Sequence, residues 1–343
     1  MPIPPSPLER FFTTHPGPHR HSLAATAVQA PSWEDMRAHL PADWAFPLGY
    51  GEPTGDPALR GLVAAEHGVE AERALLAHGA ADANFLALAA IVRPGDRVVC
   101  QQPIYPQLPC VLAMLGADVV PWVLPAEGPA DMAALAGLMG PATRLLVINT
   151  PHNPTGRVFA PEELAAMAEL VEAQPAGYWL VDEVYRGVGS APLPPSAISL
   201  SDRAVVTGSV SKAWAMPGPR VGWLVGPQEV VDAALPWREH TTLALSSASE
   251  ALVAALWPKR RAIVEEAQAI ASRNRALVRA WLVAHPHLKG SPSDHAGCFL
   301  LTPPGPFDDV HACERWYETD RVLVIPGSTV GYPGTLRVGF GQR

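Results

Sequence analysis

Charged residues are scarce in this sequence. They make up only 17% of its 343 residues, whereas 48% of the residues are hydrophobic. A chain of this length and composition can bury a large core over two domains, which excludes a disordered protein. The formal net charge is -8, and this excess of acidic groups argues against a nucleic acid or an anionic membrane as the main partner.

Cysteine pairs and long apolar runs are also missing. The four cysteines are Cys100, Cys110, Cys298 and Cys313. None belongs to a Cys-x-x-Cys pair, so neither a metal cluster nor a disulfide framework is indicated, and a reducing compartment fits. Residues 1–12 lack the apolar run of a signal peptide, and the longest apolar helix candidate, Ala83 to Val92, is too short to span a bilayer. We therefore expect a cytoplasmic protein.

Three histidines near the N-terminus raise the question of a metal site. His15, His19 and His21 lie in a segment rich in proline and glycine, with no carboxylate or cysteine at ligand spacing. We interpret them as loop histidines and expect no metal.

The chain from residue 74 alternates apolar strands with amphipathic helices, which predicts an α/β domain with a largely parallel sheet. Strands are predicted at 74–77, 97–100, 144–148, 178–181, 204–207 and 222–225. Beyond residue 245, long helical patterns at 246–257 and 262–284 precede short strands at 298–301, 322–325 and 336–340, which indicates a smaller α+β domain. We expect residues 1–45 to form an arm that joins this small domain, 46–245 the large domain and 246–343 the small domain with an interdomain helix.

The stretch from Thr207 to Arg220 has the composition of a cofactor-anchoring loop. Ser209, Ser211 and Arg220 can bind a phosphate, and the amine of Lys212 can form an imine with an aldehyde. Pyridoxal 5'-phosphate (PLP) carries both groups. Two alternatives stay open for the motif alone: a polar surface loop, and the Ser-x-x-Lys of penicillin-binding acyl enzymes, whose companion motifs the chain lacks.

Further candidate residues follow the predicted strands. Asp182 ends an apolar strand and can hold a pyridinium nitrogen protonated, although a helix cap or a structural salt bridge is the alternative. Asn153 and Tyr185 can hydrogen-bond the ring's phenolate oxygen. Tyr105 can stack on the ring or be an ordinary core aromatic. All four lie just past carboxyl ends of strands, the edge where ligands bind in open parallel sheets.

A glycine turn is predicted before the helix at 82–92. It consists of Gly79, Ala80 and Ala81. Free backbone N–H groups and the positive end of a helix dipole there suit a phosphate.

Four motifs together resemble the class I/II aminotransferase family of fold type I PLP enzymes. They are Asn153-Pro-Thr-Gly156, Asp182-Glu-Val-Tyr185, Ser209-Val-Ser-Lys212 and Gly218-Pro-Arg220-Val-Gly222. The resemblance covers nearly the whole chain. It implies PLP as cofactor, a large domain whose mostly parallel seven-stranded sheet lies between helices, and a smaller α+β domain.

The resemblance also implies residue roles. Lys212 forms the imine with PLP and then moves the substrate proton, with Asp182 and Tyr105 completing the catalytic set. Arg337 binds the substrate carboxylate, and Asn153 also contacts the substrate. Tyr50 resembles a tyrosine that reaches the phosphate of the neighbouring subunit, which implies a homodimer.

Segments 8–12, 213–220 and 237–242 resemble a narrower natural-product branch that includes capreomycidine synthase and the lincosamide enzymes acting on cysteine S-conjugates. The branch implies an enzyme of antibiotic or other secondary metabolism that transforms an L-amino acid through external aldimine and quinonoid intermediates. Transamination and β-elimination, decarboxylation or cyclisation of a modified amino acid both remain open. A PLP-sensing module of a transcription regulator is a third hypothesis, but residues 1–45 are neither basic nor long enough for its winged helix.

Overall fold

The computed structural model describes residues 5–342. Its helices are α1 (Pro7–Thr14), α2 (Trp33–Arg37), α3 (Pro57–His67), α4 (Gly79–Ile91), α5 (Gln107–Met114), α6 (Met132–Leu138), α7 (Pro161–Glu172), α8 (Gln228–Thr241), α9 (Ser247–Leu256), α10 (Arg260–Ala284) and α11 (Asp309–Asp320). Its strands are β1 (His21–Ser22), β2 (Ala74–Ala77), β3 (Arg97–Gln102), β4 (Asp118–Val123), β5 (Thr143–Asn149), β6 (Tyr178–Asp182), β7 (Ala204–Ser209), β8 (Gly222–Val225), β9 (Lys289–Gly290), β10 (Cys298–Thr302), β11 (Val322–Leu323), β12 (Ile325–Pro326) and β13 (Leu336–Gly339).

A seven-stranded sheet forms the centre of the larger part, in the order β2-β8-β7-β6-β5-β3-β4. Every neighbouring pair is parallel except the two that involve β8. Successive side chains of a strand point to opposite faces, so Leu146 and Ile148 of β5 join one apolar cluster while Leu145 and Val147 join another. Both faces are covered, which explains why the central residues of these strands, such as 145–148 of β5, form an uninterrupted apolar run. The predicted fold class is confirmed.

A smaller part lies against the carboxyl edge of this sheet. It contains a four-stranded antiparallel sheet in the order β12-β13-β10-β9, and β1 pairs in parallel with β11. The N-terminal helix α1 packs Leu8 and Phe11 into the same apolar cluster as Phe299 and Ile325. The N-terminal segment thereby contacts the small sheet, whereas the predicted division of the chain at residues 45 and 245 stays a prediction.

The start of α4 differs from the sequence expectation. The helix begins at Gly79, three residues before the predicted start at Asp82. Asp82 has the residue type of a helix cap, but it lies within the first turns, and its carboxylate accepts a hydrogen bond from the His78 backbone N–H at 2.9 Å and an ion pair from Arg238 at 3.1 Å. The glycine turn is therefore the first turn of the helix itself.

Two further elements differ from the prediction. The strand expected at 322–325 is divided into β11 and β12. Strand β4 was not predicted because Pro121 interrupts its pattern. In the structure β4 lies at the edge of the large sheet and pairs only with β3. A proline, which lacks an N–H donor, is tolerated in such an edge strand. Within residues 5–342, no helix combines the length and the apolar character needed to cross a membrane.

Candidate active site

The predicted site residues meet in a cavity of about 500 Å³ at the carboxyl edge of the large sheet. Those that line it are Ala80, Ala81, Tyr105, Asn153, Asp182, Tyr185, Ser209, Ser211, Lys212, Arg220 and Arg337. Gly79 and Tyr50 do not line it. Parallel pairing explains the convergence: Asn149 lies beside Asp182, and Asp182 beside Thr207, at the ends of three adjacent strands. The segment 24–30 lines the cavity as well.

Asp182 is a buried carboxylate held in a fixed orientation. Only 3% of its surface is exposed. One oxygen accepts a hydrogen bond from the Asn84 side-chain amide at 3.0 Å, and the other accepts from the Val184 backbone N–H at 3.0 Å. Burial raises the pKa of Asp182, whereas these hydrogen bonds and the charge of Lys212 oppose the rise. A cationic partner facing the carboxylate would keep it ionised.

Lys212 is one of three lysines in the chain, and the other two, Lys259 and Lys289, are exposed. Burial lowers the pKa of Lys212 to about 8, and the positive charge of Arg337 contributes to the lowering. Its amine donates a hydrogen bond to the Thr26 hydroxyl at 3.1 Å. A lysine with a lowered pKa is partly neutral near pH 7 and is therefore competent to attack an aldehyde.

A hydrogen-bonded group lies next to Lys212. The Asn153 amide donates to the Tyr185 hydroxyl at 3.1 Å, and the Thr26 hydroxyl lies 3.0 Å from the same oxygen. Burial raises the pKa of Tyr185, so this phenol is protonated and can donate to an anionic oxygen. Asn153 and Tyr185 therefore present the donors that a phenolate oxygen requires.

Arg337 is a buried guanidinium with spare donors. Only 2% of its surface is exposed. One terminal nitrogen donates to Asn153 Oδ1 at 3.3 Å and the other to the Ala24 carbonyl at 2.9 Å, while Nε is buried with no protein partner. A buried cation without a carboxylate partner is costly, and the fork geometry of the group suits a carboxylate ligand.

Arg220 lies against the first turn of α4. Its guanidinium donates to the His78 carbonyl at 3.3 Å and lies 3.5 Å from the Ser211 hydroxyl. The φ of Gly79 is +77°, which favours glycine, and a β-carbon there would lie 2.6 Å from this guanidinium, so any other residue would also displace the Arg220 side chain. An arginine beside a helix N-terminus brings two positive poles together, which an anion such as phosphate stabilises.

Tyr105 follows β3 and lines the cavity from the side of the small sheet. Its hydroxyl donates a hydrogen bond to Glu9 Oε1 of α1 at 3.1 Å. Burial, and then the Glu9 carboxylate, raise the pKa of Tyr105 to about 12. The ring is therefore a neutral aromatic wall of the cavity.

The family assignment follows from comparison with known proteins. The sequence model described as "Aminotransferase class I and II" matches residues 48–342. The chain belongs to the class I and II aminotransferase family. Within this aminotransferase family, capreomycidine synthase of Streptomyces vinaceus is 31% identical over 350 residues, covering 98% of this chain and 90% of that protein.

Solved aminotransferase-family structures agree with this fold. A PLP-dependent aminotransferase from Streptococcus suis 89-1591 is 26% identical with a TM-score of 0.93, covering 100% of this chain and 94% of that one. The PLP-dependent cyclase OrfR is 29% identical with a TM-score of 0.90, at the same two coverages. The protein is thus an aminotransferase-like enzyme that uses PLP and acts on amino acids. The expected enzyme class and cofactor are confirmed.

The donors in the cavity fit PLP. A carboxylate for the ring nitrogen, a lysine for the aldehyde, an amide and a phenol for the ring oxygen, and a guanidinium with two hydroxyls for the phosphate all line one space. The Nε of Arg337, which lines the same space, is buried without a protein partner and remains available to a further anionic group.

Several residues at the site were missed by sequence reasoning. Asn84 bridges Asp182 and the Thr207 hydroxyl, Asn149 donates to the Asp182 carbonyl at 2.8 Å, and Thr26 contacts Lys212. An asparagine next to the apolar run 85–91 of helix α4 was a usable signal, because a buried amide needs partners. Thr26 and Glu9 gave no such signal.

The N-terminal histidines make local contacts. The His15 ring nitrogen lies 2.8 Å from the Phe11 carbonyl and that of His19 lies 3.0 Å from the His15 carbonyl, and both rings pack against Tyr317. Among residues 5–342, no group of three or more potential metal ligands comes together.

Proposed function

We propose that this enzyme binds an L-amino acid with its carboxylate on Arg337 and removes the α-proton with the amine of Lys212. One observation carries the proposal: a buried arginine with an unpartnered Nε and a lysine of lowered pKa share one cavity. PLP, when bound, supplies the electron sink that makes this proton acidic. A lysine pKa of about 8 suits proton transfer near neutral pH.

The remaining donors hold the cofactor in this proposal. Asp182, supported by Asn84, would hold the proton on the ring nitrogen. Asn153 and Tyr185 would donate to the ring oxygen, and the Tyr105 ring would pack against the cofactor.

The phosphate has its own donors in this proposal. They are Ser209, Ser211, Arg220 and the backbone N–H groups of Gly79, Ala80 and Ala81.

Two reaction outcomes are compatible with this arrangement. Reprotonation on the cofactor side gives transamination, which matches the aminotransferases among the similar proteins. Elimination or cyclisation is favoured by the similarity to capreomycidine synthase and to a PLP-dependent cyclase, and it goes with a role in secondary metabolism. Product analysis decides: a keto acid with aminated cofactor indicates transamination, whereas ammonia or a cyclic amino acid with unchanged cofactor indicates the second class.

The first experiment tests Lys212 directly. Purified enzyme loaded with PLP should show the visible absorption band of lysine-bound PLP. Lys212→Ala should abolish the band and the reaction, while the matched variant Lys259→Ala, at an exposed position, should keep both. An unchanged band in Lys212→Ala contradicts the proposal.

We also propose a homodimer in which Tyr50 reaches the phosphate of the neighbouring site. Tyr50 is 94% exposed and Leu48 92% exposed, and their segment is held against the start of α9 by the Ser247 hydroxyl, which donates to the Gly49 carbonyl at 2.9 Å. Two large exposed apolar side chains in one segment indicate an interface. A monomer in analytical ultracentrifugation of the PLP-loaded enzyme contradicts this.

A further inference from the structure

The two carboxylates in the cavity differ in whether the proposed function gives them a role. Among the described lining residues, Asp182 and Glu9 are the two acidic side chains. Asp182 is committed to the cofactor nitrogen in the proposed function. The cations Lys212, Arg220 and Arg337 are committed to the aldehyde, the phosphate and the substrate carboxylate. Glu9 therefore has no part in cofactor binding or in holding the α-carboxylate.

Helix α1 fixes the position of Glu9. Ser6 caps the helix, and its hydroxyl accepts from the Glu9 backbone N–H at 3.4 Å. Leu8 and Phe11, on the buried face, are 3% and 7% exposed and pack into the core of the small sheet. Because the helix is anchored on both sides of Glu9 in sequence, the Glu9 carboxylate, although exposed, is positioned beside Tyr105 at the edge of the cavity.

The Glu9 carboxylate keeps most of its acceptor capacity. A carboxylate offers about four lone-pair sites, and in this structure one hydrogen bond, from the Tyr105 hydroxyl, reaches its side chain. Leu8 and Phe12 line the same cavity. Apolar walls next to a carboxylate match a side chain with a methylene stem and a cationic head, since such side chains bury the stem and keep the charge in polar surroundings.

We propose that Glu9 is a specificity residue that selects amino acids whose side chain ends in an amino or guanidino group. The proposal rests on the proposed function, because it assigns the substrate of the same cavity. A dicarboxylic amino acid is disfavoured, since its second carboxylate would face Glu9. An amino acid with an uncharged side chain of equal length binds but lacks the ion pair.

Binding of carboxylates without an α-amino group isolates this effect from catalysis. We would titrate the PLP-loaded enzyme by calorimetry with 6-aminohexanoate, hexanoate and adipate, which share chain length and differ in the end group. The expected order of affinity, from tightest to weakest, is 6-aminohexanoate, hexanoate and adipate. The partly exposed ion pair with Glu9 should make the Kd of 6-aminohexanoate about fivefold lower than that of hexanoate. Glu9→Gln should remove the differences, and Glu9→Lys should make adipate the tightest ligand.

Two control variants separate a direct role from an indirect one. Glu314→Gln, on the exposed surface of α11 and outside the cavity, should leave the order unchanged. Tyr105→Phe removes the hydrogen bond to Glu9 but keeps the charge, so the order should persist. If Tyr105→Phe abolishes the preference as fully as Glu9→Gln does, Glu9 only orients Tyr105 and the proposal is wrong.

Kinetics provide a second readout. With lysine and its uncharged analogue norleucine as substrates, Glu9→Gln should raise KM for lysine about fivefold with kcat nearly unchanged, and should leave norleucine unaffected. If the wild-type enzyme binds all three carboxylates with equal affinity, the specificity role of Glu9 is wrong, but the proposed function is not affected. If none of the three binds, the carboxylate site at Arg337 fails as well, and the proposed function fails with it.

Discussion

The active-site cavity has two walls that are built in different ways. The strand wall consists of Asn149, Asp182 and Ser209, which end or nearly end three adjacent parallel strands and are buried. The N-terminal wall consists of Glu9 with its helix neighbours and of segment 24–30, where Thr26 is a buried polar side chain. Regular backbone pairing positions the first wall, whereas packing against the small sheet positions the second. In the function and specificity proposed above, cofactor chemistry is assigned to the strand wall and substrate choice to the N-terminal wall.

The largest effect should come from the strand wall. Asp182→Asn keeps the shape and the Asn84 contact but removes the negative charge, so the cofactor nitrogen loses its proton and kcat should fall about 10³-fold. Steady-state kinetics at saturating PLP would measure this. The control is Asp202→Asn, at an exposed position. If kcat of Asp182→Asn is less than about tenfold below that of the wild-type enzyme, the strand wall does not carry the cofactor chemistry as proposed.

A second prediction concerns the cost of burying Lys212. Its pKa falls from 10.5 to about 8 on folding, so between these pH values the unfolded chain binds a proton that the folded chain does not. The destabilisation is full below pH 8 and disappears as the pH rises to 10.5. PLP-free Lys212→Met should therefore be more stable than wild type by about 3 kcal/mol at pH 7, at about 1.4 kcal/mol for each pKa unit between 10.5 and 8.

The pH dependence is the decisive part of that measurement. Chemical denaturation of the PLP-free proteins should show the advantage of Lys212→Met shrinking between pH 8 and 10.5. Lys259→Met, at an exposed site, should show no such trend. An advantage that is constant with pH would mean that the gain comes from apolar packing of methionine instead of from the buried amine.

The smallest effect should come from the N-terminal wall. Thr26→Val preserves shape but removes the hydroxyl that contacts Lys212 and Tyr185. Of the two lost hydrogen bonds, the one from the Lys212 amine bears on catalysis; its loss, about 1 kcal/mol, should lower kcat about fivefold, and Thr26→Ser should restore it. PLP affinity and the order of the three carboxylates should not change. A loss of PLP binding in Thr26→Val would place this residue with the cofactor wall.

The strand wall could be predicted from sequence, whereas the N-terminal wall could not. Asp182 follows a short apolar run and Lys212 lies in the loop after the next strand along the chain, and parallel strands bring their carboxyl ends together. Thr26 lies 186 residues from Lys212, and Glu9 lies 96 residues from Tyr105. Contacts at such separations depend on how the small sheet packs, and neither local periodicity nor residue type encodes that packing.

The first turn of α4 also escaped prediction, for a different reason. The helix was predicted to begin at Asp82, after the glycine turn, although the Asp82 carboxylate accepts from the His78 N–H and from Arg238 within a helix that begins at Gly79. Local propensity competes here with a tertiary ion pair, and the ion pair prevails.

The close approach of backbones around Arg220 limits how this enzyme can be altered. A β-carbon on Gly222 would lie 2.5 Å from the backbone carbon of Gly79 and 2.7 Å from the Gly208 carbonyl oxygen. Substitution at Gly222 is therefore blocked by backbone that has no rotamer to change, whereas a β-carbon on Gly79 would meet the Arg220 side chain and one on Gly208 the Trp223 side chain. A library intended to redirect the enzyme to new amino acids should leave Gly222 untouched and vary Glu9 and Phe12 of α1, which line the cavity, rather than the buried core residues Leu8 and Phe11.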